Sequence, residues 1–167
     1  MLKITDAKNV KGLVPGNNNG TYVLGDEAEA RKIAHQSLEV VRRFSEAVIK
    51  QDIETAYGLC ANELRCWMSV KRFVTELDKA DAEYGGKPIS YCLERITWIF
   101  ADDAFRKKSS KDGDWPKETP KPNKRAMVGG WWTAQKTAEG ELGRSVFFWV
   151  TEEAEGYRIA RFQQYHQ

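Results

Sequence analysis

Histidine is the side chain best suited to acid/base work near neutral pH, and this chain has two, His35 and His166. His35 lies one step from the centre of an apolar stripe, among polar neighbours, which is a boundary or surface position. His166 is one residue from the end, where chains fray. The cysteines are Cys60, Cys66 and Cys92. Three is an odd number for a disulfide framework, and their spacing fits no zinc pattern, so buried reduced thiols are expected and no metal or cofactor. The run Pro15-Gly16-Asn17-Asn18-Asn19-Gly20 is turn chemistry. It leads into no P-loop lysine and follows no strong buried strand, so it is not a phosphate cradle. Glu94 sits beside Arg95 and is expected to be paired or exposed. No nucleophile signature stands out, and these residues alone do not state an activity.

The background is that of an ordinary globular chain. Its 167 residues are enough for one domain with a real core. Lys and Arg number 26 against 24 Asp and Glu, a net charge of +2, which gives no reason to expect nucleic acid. No apolar run approaches the roughly 20 residues of a membrane span. The N-terminus lacks the layout of a secretory signal. With the unpaired cysteine count, that makes the cytoplasm the expected location.

The elements that position these residues follow from periodicity and punctuation. Residues 1–25 are expected as an N-terminal extension, in which Thr21–Leu24 could form a short strand. Asp26 with Glu29 gives the reciprocal spacing of a capping box, and Ile33, Ala34, Leu38, Val41, Phe44 and Val48 recur at the helical period. This predicts an amphipathic helix of about six turns, ending near Lys50-Gln51. Asp52 caps a short second helix carrying Ile53, Ala56, Tyr57 and Cys60, with a break near Asn62. Ser69 caps a third with Val70, Phe73, Val74, Leu77 and Ala80, closed by Gly85-Gly86 and Pro88. From Ile89 the period changes, and Ser90–Phe100 reads as a long strand whose double-sided apolar pattern calls for a bulge. Residues 101–124 hold Trp115, prolines and a basic run, which preclude a central strand. A long exposed basic loop is expected there. Arg125–Lys136, Arg144–Glu152 and Tyr157–Tyr165 then form three strands joined by short glycine-containing links, so successive neighbours are antiparallel. Gly129-Gly130 predicts a bulge or bend, and hence a curved sheet.

The last strands are apolar on both faces. Trp131 and Trp132 are adjacent and point oppositely, as do Phe147 and Phe148. Val146, Phe148 and Val150 make one row, Phe147 and Trp149 the other. Helices can cover one face only. Burying a large side chain is worth roughly 1.5–3 kcal/mol, so an uncovered aromatic face is a sticky one. A homodimer through the sheet is expected.

The order of helix, short helix, helix, long strand and three antiparallel strands resembles the nuclear transport factor 2-like superfamily, the cystatin-like α+β cone. Phe44-x-x-Ala47-x-x-x-x-Asp52-x-x-x-Ala56-Tyr57 resembles the stretch joining its first two helices. Leu64 and Ser69-x-x-x-Phe73 are similar to the entry into its third, and Gly156-Tyr157-Arg158-Ile159 with Phe162 to its last strand. The resemblance covers residues 28–165. It implies a single domain over residues 26–167, with three helices on a curved, mainly antiparallel sheet of four or more strands forming a cone. It also implies a cavity between helices and sheet, and frequent dimerisation. Some members are enzymes and others only bind, and the fold does not choose between them. An isomerase trio of carboxylate base, tyrosine and protonated aspartate cannot be placed here. The dehydratase pairing of histidine with aspartate has only His35 and His166 to draw on, and an epoxide hydrolase set only Arg161.

The leading expectation is a non-catalytic binding or interaction module whose cavity takes a small apolar ligand. Aromatic lining would come from Tyr57, Trp98, Trp132 and Phe148, and polar contacts from Arg161 and Tyr165 where strand parity turns them inward. One alternative is an adaptor or immunity-type protein using the 101–124 loop and the outer sheet. Another is a small acid/base enzyme of the isomerase or dehydratase type.

Overall fold

The computed structural model describes residues 3–5, 21–24, 26–101 and 124–165. Two short strands come first, β1 (Lys3–Thr5) and β2 (Thr21–Leu24). Four helices follow: α1 (Glu27–Ile49), α2 (Ile53–Gly58), α3 (Asn62–Trp67) and α4 (Val70–Glu83). The chain then runs through β3 (Ser90–Phe100), β4 (Lys124–Thr137), β5 (Gly140–Glu153) and β6 (Gly156–Tyr165). Strands β3 to β6 are consecutive antiparallel neighbours in a curved sheet, so the class is α+β as expected. On the far side of β3, β2 pairs parallel to it and β1 antiparallel to β2. Parts of the N-terminal segment therefore belong to the sheet. The 101–124 stretch, apart from Ala101 and Lys124, lies outside the described residues, as do Trp115 and His166.

The expected helix starts are all present. The Asp26 carboxylate accepts from the Glu29 N–H at 2.9 Å, that of Asp52 from Thr55 at 3.1 Å, and the Ser69 hydroxyl from Arg72 at 3.2 Å. Each satisfies a donor that the first turn leaves without an intrahelical partner. Among the described residues there are four helices rather than three, because the break near Asn62 separates α2 from a further short helix, α3. Between them the chain extends to pair with the sheet: Ile159 N–H donates to Leu59 O at 2.9 Å, and Ala61 N–H to Ile159 O at 2.8 Å.

Helix α1 lays its apolar stripe on one face of the sheet, and Ile33, Ala34, Leu38, Val41, Phe44 and Val48 are all buried. Phe44 is the hub, with ring centroids of Phe162, Phe148, Phe73 and Trp132 at 5.3, 5.7, 6.1 and 6.3 Å. The Trp132 indole N–H donates to Ser45 Oγ at 3.1 Å, so the one polar atom of that ring is satisfied inside the core.

Bulges decide which way the strands face. Register shifts in β3 fall between Leu93 and Arg95 and between Ile96 and Trp98, so the expected bulge is found. The first lies opposite Gly129-Gly130, where a Cβ on Gly130 would come within 2.6 Å of the Cys92 carbonyl. The same kind of shift in β6 pairs Val150 with Ile159 but Trp149 with Arg161, leaving Ala160 as the extra residue. Each bulge reverses the parity of whatever follows it.

At the other end, α4 is tied to the sheet by Arg144, whose side chain is fully buried. Its guanidinium donates to Asp81 Oδ1 at 2.6 Å and to Gly86 O at 3.1 Å, and packs over the Trp132 ring at 5.4 Å. The carbonyl it meets belongs to the expected left-handed exit of α4, with φ of 91° at Gly85 and 122° at Gly86.

Candidate functional site

Aromatic rings fill the space between α1 and the sheet. A groove opens instead between α3, α4 and β6, with a volume of about 390 Å³. Leu64, Met68, Ala80 and Phe162 make its apolar floor, and Phe162 also touches Phe44 and Phe73, so the floor continues into the core. The rim is charged. With Ser69 fixing where α4 begins, Arg72, Glu76, Lys79 and Glu83 recur at spacings of four, three and four and project on one side, while Phe73 and Leu77 turn to the core. The Arg72 guanidinium lies 5.2 Å from the Trp67 ring centroid, a cation–π contact that holds one wall. Lys79 and Glu76 meet at 3.5 Å with both side chains exposed, so this pair shapes the rim more than it stabilises it.

The opposite wall is a strand edge. Arg161, Phe162, Gln163 and Gln164 all line the groove. Side chains alternate between faces along a strand, so four consecutive residues can reach one groove only through the edge of the backbone. The other edge of β6 is taken by β5. The Gln164 side-chain oxygen is buried and has no hydrogen-bond partner among the described residues.

The six residues picked from the sequence divide between the two faces of the sheet. Trp132 and Phe148 are both fully buried, with ring centroids 6.0 Å apart, and serve the core. Tyr57 joins them through Phe73, and its hydroxyl donates to Met68 O at 2.8 Å, fastening α2 to the α3–α4 junction. Trp98 and Arg161 stand on the outer face instead, in one row with Met127 and Trp149. Counting by twos from Ile96 and Ile159 places both inward; the extra residues Thr97 and Ala160 turn them out. Arg161 is half-buried, and loss of hydration lowers its pKa. With its amide oxygen turned toward Arg161, Gln163 bridges that guanidinium and the Tyr165 hydroxyl. Tyr165 is 44% exposed and packs against Phe147 on that outer face. Of the six, Arg161 alone lines the groove.

The rim residues of α4 were missed because, in sequence, they read as a solvated helix face. The signal available was their spacing relative to the Ser69 cap, and it says nothing about what stands opposite. His35 is exposed. Cys60 is buried, but Cys66 is exposed and Cys92 half-buried, so the expectation of buried thiols holds for Cys60 only; all three are free. Glu46 accepts a hydrogen bond from the Tyr91 hydroxyl at 3.1 Å, the kind of carboxylate–phenol pair an acid/base enzyme would use. Here the Glu46 carboxylate is also bound by Arg42 at 2.8 Å, on the exposed flank of α1. Burial first, and then the Glu46 carboxylate, raise the Tyr91 pKa, which keeps the phenol a donor. Among the described residues, no three His, Cys, Asp or Glu side chains cluster to hold a metal ion.

Comparison with protein-family models, with curated proteins and with solved structures finds no match to this chain.

Proposed function

We propose that this protein is a non-catalytic binding module with the nuclear transport factor 2-like architecture, and that it takes its ligand in the groove between α3, α4 and β6. The observation that carries this reading is the combination of an apolar floor reaching the core with a rim of both charge signs, in a cleft of about 390 Å³. Binding sites typically combine concavity, an apolar lining and a few polar groups at the margin. The helix order, the antiparallel meander and the curved sheet support the architectural part. The test is a titration of the isotopically labelled full chain with a library of small apolar and amphipathic compounds and short peptides, followed by NMR. Shifts should cluster on Leu64, Met68, Ala80 and Phe162, and the compounds should be recovered unchanged. Shifts confined to other surfaces, or chemical conversion of a bound compound, would overturn the proposal.

The outer face of the sheet favours a second, compatible reading. Phe147, Trp131 and Met127 are only half-buried there, and Arg95 lies 5.5 Å from the Phe147 ring centroid. Apolar rows of this kind support self-association through the sheet.

A further inference from the structure

Resting on the groove as the binding site, we propose that its ligand is an extended polypeptide segment that adds to the free edge of β6 as a further strand. Strand addition needs an edge with unpaired backbone groups, and side-chain contacts beside it to fix the guest. Both are present. Strand β6 ends the sheet, and among the described residues no strand pairs with Phe162–Tyr165 on the side away from β5.

The same edge already accepts chain one step earlier. Leu59 and Ala61 exchange hydrogen bonds with Ile159 at 2.9 and 2.8 Å, both to backbone groups directed away from β5. This pairing stops at the Ala160 bulge, and the open segment begins just beyond it. A guest strand would thus continue a ladder that the protein has started with its own α2–α3 link.

The open segment itself carries no sequence guard, although the Ala160 bulge precedes it and α4 faces it across the groove. Natural edges are guarded by lysine, proline or inward charges. Phe162-Gln163-Gln164-Tyr165 has none of these. Four residues at strand rise give about 13 Å of edge, enough for a short segment rather than a long partner strand. The α4 rim supplies the side-chain contacts. Apolar guest side chains face the Phe162–Ala80 floor, while Arg72 and Lys79 on one hand and Glu76 and Glu83 on the other meet polar side chains of either sign.

The experiment selects binders to the full chain from a display library of random linear peptides, and follows the best of them by amide hydrogen exchange. Saturation should slow exchange within Phe162–Tyr165 by about tenfold or more, as expected for newly paired amides. N-methylation of the peptide should weaken binding about tenfold at alternate positions, where a hydrogen bond is lost, and leave the intervening ones unaffected. Peptides that shift Ala80 and Phe162 without slowing exchange or alternation would overturn strand addition and leave the groove reading standing. Failure of any selected peptide to occupy the groove would count against both. Protection of the edge that grows with protein concentration, without peptide, would assign it to a second copy and likewise overturn the proposal.

Discussion

Arg144 has no exposed side-chain surface, and Asp81 is the carboxylate that pairs with it at 2.6 Å. Removing one member of such a pair costs about 3–5 kcal/mol, because the other charge stays buried and uncompensated, whereas replacing both with apolar side chains can be neutral. Asp81→Leu should therefore destabilise the protein by that amount in urea denaturation. Adding Arg144→Met should recover much of the loss, while additive losses in the double variant would contradict this account. Cys60 makes the second residue-scale prediction. Burial pushes its thiol up to about 12 from an ordinary value near 9. Between those values the unfolded chain has released the proton and the folded chain retains it. The contribution is thus fully present below pH 9 and falls as pH rises toward 12, by at most about 1.4 kcal/mol per unit. Denaturation midpoints followed across that window should fall more steeply for the wild type than for Cys60→Ala; equal slopes would refute the assignment.

Local signals specify the elements, and their consequences are local too. Ser69→Ala leaves the Arg72 N–H without its cap and should cost about 1 kcal/mol, measured as a lowered denaturation midpoint with unchanged slope. A change below about 0.3 kcal/mol would mean that another group caps α4, as glycine or water does elsewhere. Asp26, Asp52 and Ser69 could be read in sequence because a cap and the turn it serves lie within three residues. So could the stripe of α1 and the meander of β3 to β6. The fourth helix could not, because Cys60-Ala61 is drawn out of helical conformation by pairing with Ile159, far away in sequence. The site was hidden for a related reason. One inserted residue at Thr97 and one at Ala160 reverse what strand parity predicts, and neither residue type announces a bulge. Trp132 and Phe148 were recognised as important side chains, but what they hold together is the core. The groove depends on α4 facing β6, a relation between distant segments that no spacing within either one encodes.

At the scale of the whole molecule, the sheet offers two different surfaces, an edge and a face. If the face mediates self-association, sedimentation should show a dimer that Phe147→Glu converts to a folded monomer; a wild-type chain that stays monomeric at high concentration would remove the face from consideration. The edge should be untouched by that substitution, so peptide binding in the groove should survive it. The remaining feature is the parallel pairing of β2 with β3. Tyr22 sits beside Trp98, and all four helices lie in the chain between them. Closing a loop of that length costs on the order of 4 kcal/mol in chain entropy, whereas the β4–β5 turn brings its strands together at once. Folding therefore has a direction in time. The helices and the meander of β3 to β6 can assemble from near neighbours, and β2, with β1 paired to it, docks on β3 only afterwards.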